Sequence, residues 1–254
     1  MLLQPDEAPA VEVVRPEGWA SVVLICDHAS NRLPRAVGDL GLPASRFQEH
    51  IAWDVGAANV ARRISERLYA PLILSGYSRL VIDCNRPLGA ATSMPELTCG
   101  VEVPGNGGLS PEASEDRINE LFRPYHRAIE QILEARQRAG LRTAIVSVHS
   151  FTPEPLRGPR PWDIGFLYGR DKRLAELFIE ALGREPGVEV GDNQPYQVTD
   201  ATDYGIPVYA ERAGRPGVLI EVRQDHIAAP EGAERWGDRL ADAFAFIEER
   251  LWAE

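Results

Sequence analysis

Three polar side chains suited to hydrolytic chemistry stand at the ends of short apolar runs or inside them. His28 follows the run of residues 21–27, His149 follows residues 143–148, and Glu221 lies among valine, leucine and isoleucine residues. Neutral imidazoles are good zinc ligands, and catalytic zinc sites keep one position open for water. A carboxylate near such a water is a suitable base. If the fold brings these side chains together, they indicate metal-assisted hydrolysis.

Each of these residues also has a structural interpretation. The two histidines could be ordinary side chains at strand ends with satisfied hydrogen bonds. Glu221 is costly to bury unpaired, so it is either a catalytic base or half of a buried ion pair, with Arg223 as a nearby partner. Asn31, three residues after His28, either reaches the same metal ion or is a turn residue before Pro34. The local sequence leaves these alternatives open.

Two arginines and an asparagine flank a further apolar run. Arg79 begins this run, and Asn85 and Arg86 follow it. Beside a metal, one guanidinium could stabilise an oxyanion while the other binds a substrate carboxylate, whereas elsewhere both would form surface ion pairs. Asp54, four residues after His50, is either a further metal ligand or the N-cap of the helix that follows.

The elements that must position these residues follow from the hydrophobic periodicity. Short apolar runs alternate with segments of helical period, a pattern typical of an α/β protein with a largely parallel sheet. Segments 87–110 and 151–162 are rich in proline or glycine and are predicted to be loops that close over a ligand. We predict strands at 21–27, 71–74, 79–84, 143–148, near 188, 207–210 and 218–223, and helices at 54–69, 110–140, 174–182 and 231–252. In such sheets, ligands bind beyond the carboxyl ends of the strands, where the polar residues above are expected.

Composition excludes several functional classes. The 254 residues include 27 basic and 38 acidic side chains, which give a net charge of −11 and disfavour nucleic acid and membrane partners. Cys26, Cys84 and Cys99 show no disulfide or zinc-thiolate spacing, and there is no signal peptide or membrane-spanning run, so we expect a cytoplasmic protein. We expect a single domain over residues 1–254, with its core at about 18–228 and a C-terminal helix at 231–252. An anionic substrate would need locally placed arginines.

Six segments together resemble the N-formylglutamate amidohydrolase family, and more distantly the zinc carboxypeptidases and the aspartoacylase group. They follow in the family's order and cover roughly residues 21–227. The resemblance implies a three-layer α/β/α sandwich on a mixed, largely parallel sheet, as in zinc carboxypeptidases. The segments are CDHASNRLP (26–34), HIAWDVGA (50–57), SRLVIDCNRP (78–87), HSFTP (149–153), RPWDIGFLY (160–168) and IEVRQDHI (220–227).

The resemblance also implies an activity. It indicates a zinc-dependent hydrolase that cleaves the amide bond of a small N-acyl amino acid such as N-formylglutamate. His28 and His149 match the zinc-binding histidines, Glu221 matches the glutamate that activates water, and Arg79 matches the arginine that polarises the scissile carbonyl. The alternatives are a deacylase for another N-acyl amino acid or a short peptide, and a catalytically silent protein that binds carboxylate ligands.

The remaining matched positions concern the substrate and the third metal ligand. Asn85 and Arg86 match the pair that holds the substrate carboxylate. The carboxypeptidase-type pattern places a zinc-binding glutamate three residues after the first histidine, a position that Asn31 occupies here. Three outcomes are open: Asn31 is the third ligand, a carboxylate such as Asp54 replaces it, or the metal site is impaired.

Overall fold

Apolar runs rich in valine, isoleucine and leucine form the strands of this protein. The computed structural model describes residues 1–154 and 160–253. Its strands are β1 (Val11–Val14), β2 (Val22–Cys26), β3 (Leu72–Ser75), β4 (Leu97–Thr98), β5 (Val101–Glu102), β6 (Ala144–Phe151), β7 (Ile164–Leu167), β8 (Val190–Asp192) and β9 (Gly217–Arg223). Seven of them form one sheet in the order β1-β3-β2-β6-β9-β7-β8, and β4 and β5 form a separate hairpin.

The central part of the sheet is parallel. Strands β3, β2, β6 and β9 run in one direction, whereas β1 at one edge and the pair β7 and β8 at the other run in the opposite direction. The carboxyl ends of the four parallel strands therefore lie at one edge of the sheet. In the register of β6 and β9, His149 lies directly beside Glu221.

Helices cover both faces of this sheet. They are α1 (Ala57–Leu68), α2 (Pro111–Arg117), α3 (Arg123–Arg138), α4 (Arg173–Leu182), α5 (Gln224–Ile227) and α6 (Pro230–Leu251). Alternate residues of β2 enter two hydrophobic clusters: Leu24 packs with residues of α1, α4 and α6, and Ile25 packs with residues of α3. This arrangement confirms the predicted three-layer α/β/α sandwich on a mixed, largely parallel sheet.

The predicted helix at 110–140 forms with one local change. Ser110 caps it as predicted, since its hydroxyl accepts a hydrogen bond from the Ala113 backbone N–H at 3.1 Å. Between α2 and α3, residues Ile118–Phe122 widen into a π-helical turn just before Pro124. Proline lacks a backbone N–H, so the regular helical hydrogen-bond ladder is interrupted there.

The prediction of a strand at 79–84 is wrong. This apolar segment is buried against α3, but its backbone pairs with side chains and a loop instead of a neighbouring strand. The Asn106 amide donates to the Leu80 carbonyl at 2.8 Å, and the Arg117 guanidinium donates to the Val81 carbonyl at 2.8 Å. Satisfied backbone groups and apolar burial are thus achieved without a sheet.

The prediction of a strand at 207–210 is also wrong, because Ile206–Ala210 form a π-helical turn. Its apolar residues belong to the hydrophobic cluster that contains Ile25 and residues of α3. Pro207 also lacks the backbone N–H that a strand would use to hydrogen-bond its neighbour. Strands β1 and β7 were not predicted, and the segment 87–110 contains the small β4–β5 hairpin. The other predicted strands and helices are confirmed within a few residues. Part of the loop predicted at 151–162, residues 155–159, lies outside the described residues.

Among the described residues, no helix combines the length and apolar character that a bilayer crossing requires.

Candidate active site

Two histidines and an aspartate meet at the carboxyl end of the parallel strands. His28 follows β2 by two residues, His149 lies near the end of β6, and Asp54 precedes α1. The Asp54 backbone N–H donates to the His28 carbonyl at 3.0 Å, which ties the two loops together. The side chains of all three residues are buried. The sheet thus brings together residues 121 positions apart in the chain.

The facing atoms of this cluster suit a metal ion. His28 Nδ1 lies 3.2 Å from Asp54 Oδ2, His149 Nδ1 lies 2.8 Å from the same oxygen, and the two Nδ1 atoms are 3.2 Å apart. One ligand atom from each residue falls within 4.8 Å of the others. Two imidazoles and one carboxylate are a donor set that zinc accepts. The cluster could therefore hold a metal ion.

Each histidine has its own carboxylate on the far side of the ring. His28 Nε2 lies 2.8 Å from Asp83 Oδ1. His149 Nε2 lies 3.2 Å from Asp27 Oδ2 and 2.8 Å from Ser147 Oγ, and that hydroxyl donates to Asp27 Oδ2 at 3.0 Å. The Nε2 atoms of both histidines therefore donate hydrogen bonds. This leaves the Nδ1 lone pairs directed at the centre of the cluster, the point between His28, Asp54 and His149.

These carboxylates dominate the electrostatics of the centre. Burial and Arg79 lower the pKa of His28, but Asp83 and Asp54 reverse this and leave the pKa raised. Burial also lowers the pKa of His149, but its bonds to Asp27 and Asp54 raise the pKa well above the ordinary value. For Asp54, burial favours a higher pKa, yet the two imidazoles hold the pKa below its ordinary value. The centre is thus arranged to hold positive charge.

Glu221 lies beside this cluster and forms no ion pair with the residues that the structure describes. Its side chain is buried, and Oε2 has no hydrogen-bond partner among the described residues. Arg223, the alternative partner suggested by the sequence, pairs with Asp163 and Asp225 instead. Burial raises the pKa of Glu221 to about 7. A carboxylate with this pKa can both accept and release a proton near neutral pH.

Arg79 reaches the same centre from the irregular segment after β3. Its Nε and Nη2 donate to Asp83 Oδ2 at 3.1 and 2.8 Å, and its Nη1 lies 3.4 Å from Asp54 Oδ1. The side chain is 23% exposed and lines the central cavity. The guanidinium is therefore held rigidly at its carboxylate side and remains accessible to a ligand.

Asn85 and Arg86 lie at the next part of the cavity wall. The Asn85 Oδ1 accepts the backbone N–H groups of Tyr204 and Gly205 at 2.9 and 3.0 Å, and its Nδ2 donates to Asp203 at 3.2 Å. Most of the Asn85 amide is thus used to hold this turn. Arg86 is 22% exposed, and its nearest carboxylates are 3.9 and 4.0 Å away.

Asn31 is not brought to the centre. Its side-chain amide donates to the Phe47 carbonyl at 2.8 Å, where it fixes a loop. Asp54, the carboxylate that the sequence offered as an alternative, faces the two histidines instead of capping α1, whose N-cap is Gly56. The third side chain of the cluster is therefore an aspartate 26 residues beyond His28 in sequence.

The clustered residues other than Asn31 line one cavity of about 440 Å³: His28, Asp54, Arg79, Asn85, Arg86, His149 and Glu221. Its wall also includes Thr98 and Cys99 of the β4–β5 region, Phe151 and Tyr196. Arg160 stacks over the rings of Phe151 and Tyr196, 5.9 and 5.1 Å from their centres. The cavity thus has the size of a small-molecule site and arginines along its wall.

Sequence reasoning did not select Asp27 and Asp83. Asp27 directly precedes His28, and Asp83 interrupts the apolar run that ends before Asn85. A buried aspartate next to a candidate ligand was the available signal, because such a carboxylate needs a partner.

The chain is similar to known proteins over most of its length. The model of the N-formylglutamate amidohydrolase family matches residues 20–228. An N-formylglutamate deformylase of Pseudomonas putida is 27% identical over 189 residues, which cover 66% of this chain and 69% of that protein.

Two solved structures share the fold over nearly the whole chain. A gene product of Agrobacterium tumefaciens is 34% identical, with a TM-score of 0.93 over 98% of this chain and 100% of its own. An N-formylglutamate amidohydrolase from Ralstonia eutropha JMP134 is 21% identical, with a TM-score of 0.74 over 97% of this chain and 99% of its own. With the family model spanning most of the sequence, the chain belongs to the N-formylglutamate amidohydrolase family.

Proposed function

We propose that this protein is a zinc-dependent hydrolase that cleaves the amide bond of a small N-formyl amino acid, with N-formylglutamate as the first candidate. The observation that carries this proposal is the convergence of four groups on one cavity: the His28, Asp54 and His149 donors, and the buried Glu221 carboxylate. Family membership supports the substrate class. A bound zinc ion would supply a Lewis acid and lower the pKa of water.

The residues of the chain then divide the proton transfers and charge stabilisation. Glu221 accepts a proton from the attacking water while the water oxygen bonds to the formyl carbon. When the carbon–nitrogen bond breaks, the same carboxyl group gives that proton to the leaving amine, so the products are formate and the free amino acid. Its pKa of about 7 suits both steps.

Arg79 has the position to stabilise the developing oxyanion. Its guanidinium is fixed by Asp83 and lines the cavity beside Asp54. Donors that are already in place for the charge of the transition state need no reorganisation during the reaction. The proposed role of Arg79 thus depends on its carboxylate partner.

Arg86 is the proposed partner of the substrate α-carboxylate. Its Nη1 donates to the Asn85 and Thr202 carbonyls, but it has no carboxylate closer than 3.9 Å among the described residues, so its Nε and Nη2 atoms can bind a ligand carboxylate in a bidentate pair. Asn85 supports this site by holding the 203–205 turn, and Arg160 adds positive charge near the wall. An acidic protein can therefore hold an anionic substrate.

The test is hydrolysis of a panel of N-acyl amino acids by the zinc-loaded wild type, by Glu221→Gln and by the control Glu12→Gln. Glu12 pairs with Arg62 on the surface. We expect formate release from N-formylglutamate, a loss of about 10²- to 10⁴-fold in kcat for Glu221→Gln, and no loss for the control. Metal analysis of each protein accompanies the assay.

Other outcomes would replace this proposal. Release of a different acyl group would indicate a deacylase of other specificity. Binding of N-acyl amino acids without turnover, insensitive to chelators, would indicate a silent ligand-binding protein. Unchanged turnover in Glu221→Gln would contradict the mechanism.

A further inference from the structure

We propose that Asp83 is a positioning residue that uses one carboxylate to orient both a metal ligand and the arginine that stabilises the oxyanion. This inference rests on the proposed function for the roles of His28 and Arg79. Asp83 is buried, with 3% of its surface exposed, and it does not line the cavity. Its influence on the reaction would therefore pass through its neighbours.

One oxygen of Asp83 fixes His28. Oδ1 lies 2.8 Å from His28 Nε2 and also accepts the Asn85 backbone N–H at 2.8 Å. An ionised carboxylate only accepts hydrogen bonds, so His28 must carry its proton on Nε2. The Nδ1 lone pair then points at Asp54 and His149, which is the direction that a metal ion needs.

The other oxygen fixes Arg79. Oδ2 accepts two hydrogen bonds from that guanidinium, at 3.1 and 2.8 Å. Arg79 and His28 hold the pKa of the Asp83 carboxyl well below its usual range despite burial, which favours a higher pKa. Both oxygens thus accept hydrogen bonds from His28 or Arg79, and a neutral amide, which has only one accepting oxygen, cannot make both interactions at once.

His149 offers a matched comparison. Its Nε2 is held by Asp27 and Ser147, and no arginine bond to Asp27 is found among the described residues. Loss of the Asp27 charge should therefore affect a metal ligand alone, whereas loss of the Asp83 charge should affect a metal ligand and Arg79 together.

The substitution Asp83→Asn makes this difference measurable. If the new amide turns its NH₂ group to His28, Nε2 must accept and the ring proton moves to Nδ1. If the NH₂ group faces Arg79, donors oppose donors and the guanidinium is displaced. We expect zinc affinity to fall about 10- to 100-fold, as for other outer-shell partners, in both Asp83→Asn and Asp27→Asn.

The two variants should separate in catalysis at saturating zinc. We expect Asp83→Asn to lose about 10²-fold or more in kcat because Arg79 is a transition-state donor, with little change in KM. Asp27→Asn should lose much less kcat under the same conditions. Equal kcat for the two variants would overturn the coupling of His28 and Arg79 through Asp83.

The proton position is read in the metal-free wild type, so folding of a variant is not required. Nitrogen-15 spectra of labelled histidine, recorded where the imidazoles are neutral, should show His28 protonated on Nε2. Protonation on Nδ1 in the wild type would overturn the proposal. If no N-acyl amino acid is hydrolysed, the proposed function fails, while the nitrogen spectra and zinc affinities still decide the positioning role.

Discussion

Buried histidines of two kinds occur in this protein: His28 and His149 belong to the candidate centre, and His126 belongs to α3. His28 and His149 are each 2% exposed, and His126 of α3 is 4% exposed. The first two face carboxylates, whereas His126 contacts the Tyr209 hydroxyl at 2.9 Å and packs against the Phe122 ring at 4.0 Å. Burial lowers the pKa of His126 to about 4, but the pKa values of the other two are raised.

Burial alone therefore does not set the direction in which the pKa of a histidine shifts. Removal from water disfavours the charged imidazole at all three positions. At the candidate centre, aspartates on both sides of each ring outweigh this cost and prepare a site for positive charge. At His126, aromatic neighbours and a hydroxyl leave a neutral side chain that serves packing.

The largest difference between the two kinds of buried histidine is expected in metal binding. His149→Gln removes a proposed donor, so zinc affinity should fall by more than the roughly 10- to 100-fold typical of an outer-shell loss. His126→Gln should leave zinc affinity at the wild-type value. Calorimetric titration of both metal-free variants measures this, and equal affinities would remove the distinction between the two kinds of histidine.

The second-largest difference between the two kinds of buried histidine is expected in the pH dependence of folding stability. The folded-state pKa of His126, about 4, lies below its unfolded value of 6.5. The unfolded chain therefore binds more protons between these values, and stability is lost as pH falls from 6.5 to 4. We expect this residue to contribute a loss of up to ~3 kcal/mol.

Urea unfolding of the wild type and His126→Gln across this pH range tests that sign. The variant lacks the titrating group, so its deficit relative to the wild type should shrink toward acidic pH. For His28 and His149 in the metal-free protein the sign is reversed: their contribution is present below pH 6.5 and is lost as pH rises through their raised folded-state pKa values. A constant difference between wild type and His126→Gln would contradict the assignment.

The smallest effect is expected from Tyr209→Phe. This change removes the hydroxyl that meets His126 Nδ1 and leaves a buried polar nitrogen unpaired. We expect a destabilisation of about 1 kcal/mol at neutral pH and unchanged hydrolysis, since Tyr209 does not line the cavity. Thermal unfolding and the formate assay give both values, and a large loss of activity would place this aromatic cluster in the catalytic site.

The sequence predicted the part of the site that depends on strand ends. His28, His149 and Glu221 stand out because a polar residue interrupts or follows an apolar strand, and the register of β6 and β9 brings two of them together. The choice between Asn31 and Asp54 depended on how loops fold back, which local sequence does not encode. In the structure the Asn31 amide donates to the Phe47 carbonyl, whereas Asp54 faces the two histidines.

The two wrong strand predictions have a similar cause. Residues 79–84 and 207–210 are apolar because they are buried, and hydrophobicity alone does not distinguish a buried turn from a strand. The side chains that bond the backbone of the first segment, Asn106 and Arg117, are distant from it in sequence. The contacts of Asp27 with His149 and of Asp83 with His28 were missed for the same reason, since each joins residues that are distant in the sequence.

The proposed mechanism depends most directly on where a metal ion binds. Diffraction from crystals of the zinc-loaded protein at the zinc absorption edge locates the ion without reference to activity. We predict one anomalous peak between His28 Nδ1, Asp54 and His149 Nδ1, with Glu221 beside it. A zinc-loaded protein that hydrolyses N-formylglutamate but shows no peak at these three residues would contradict the account.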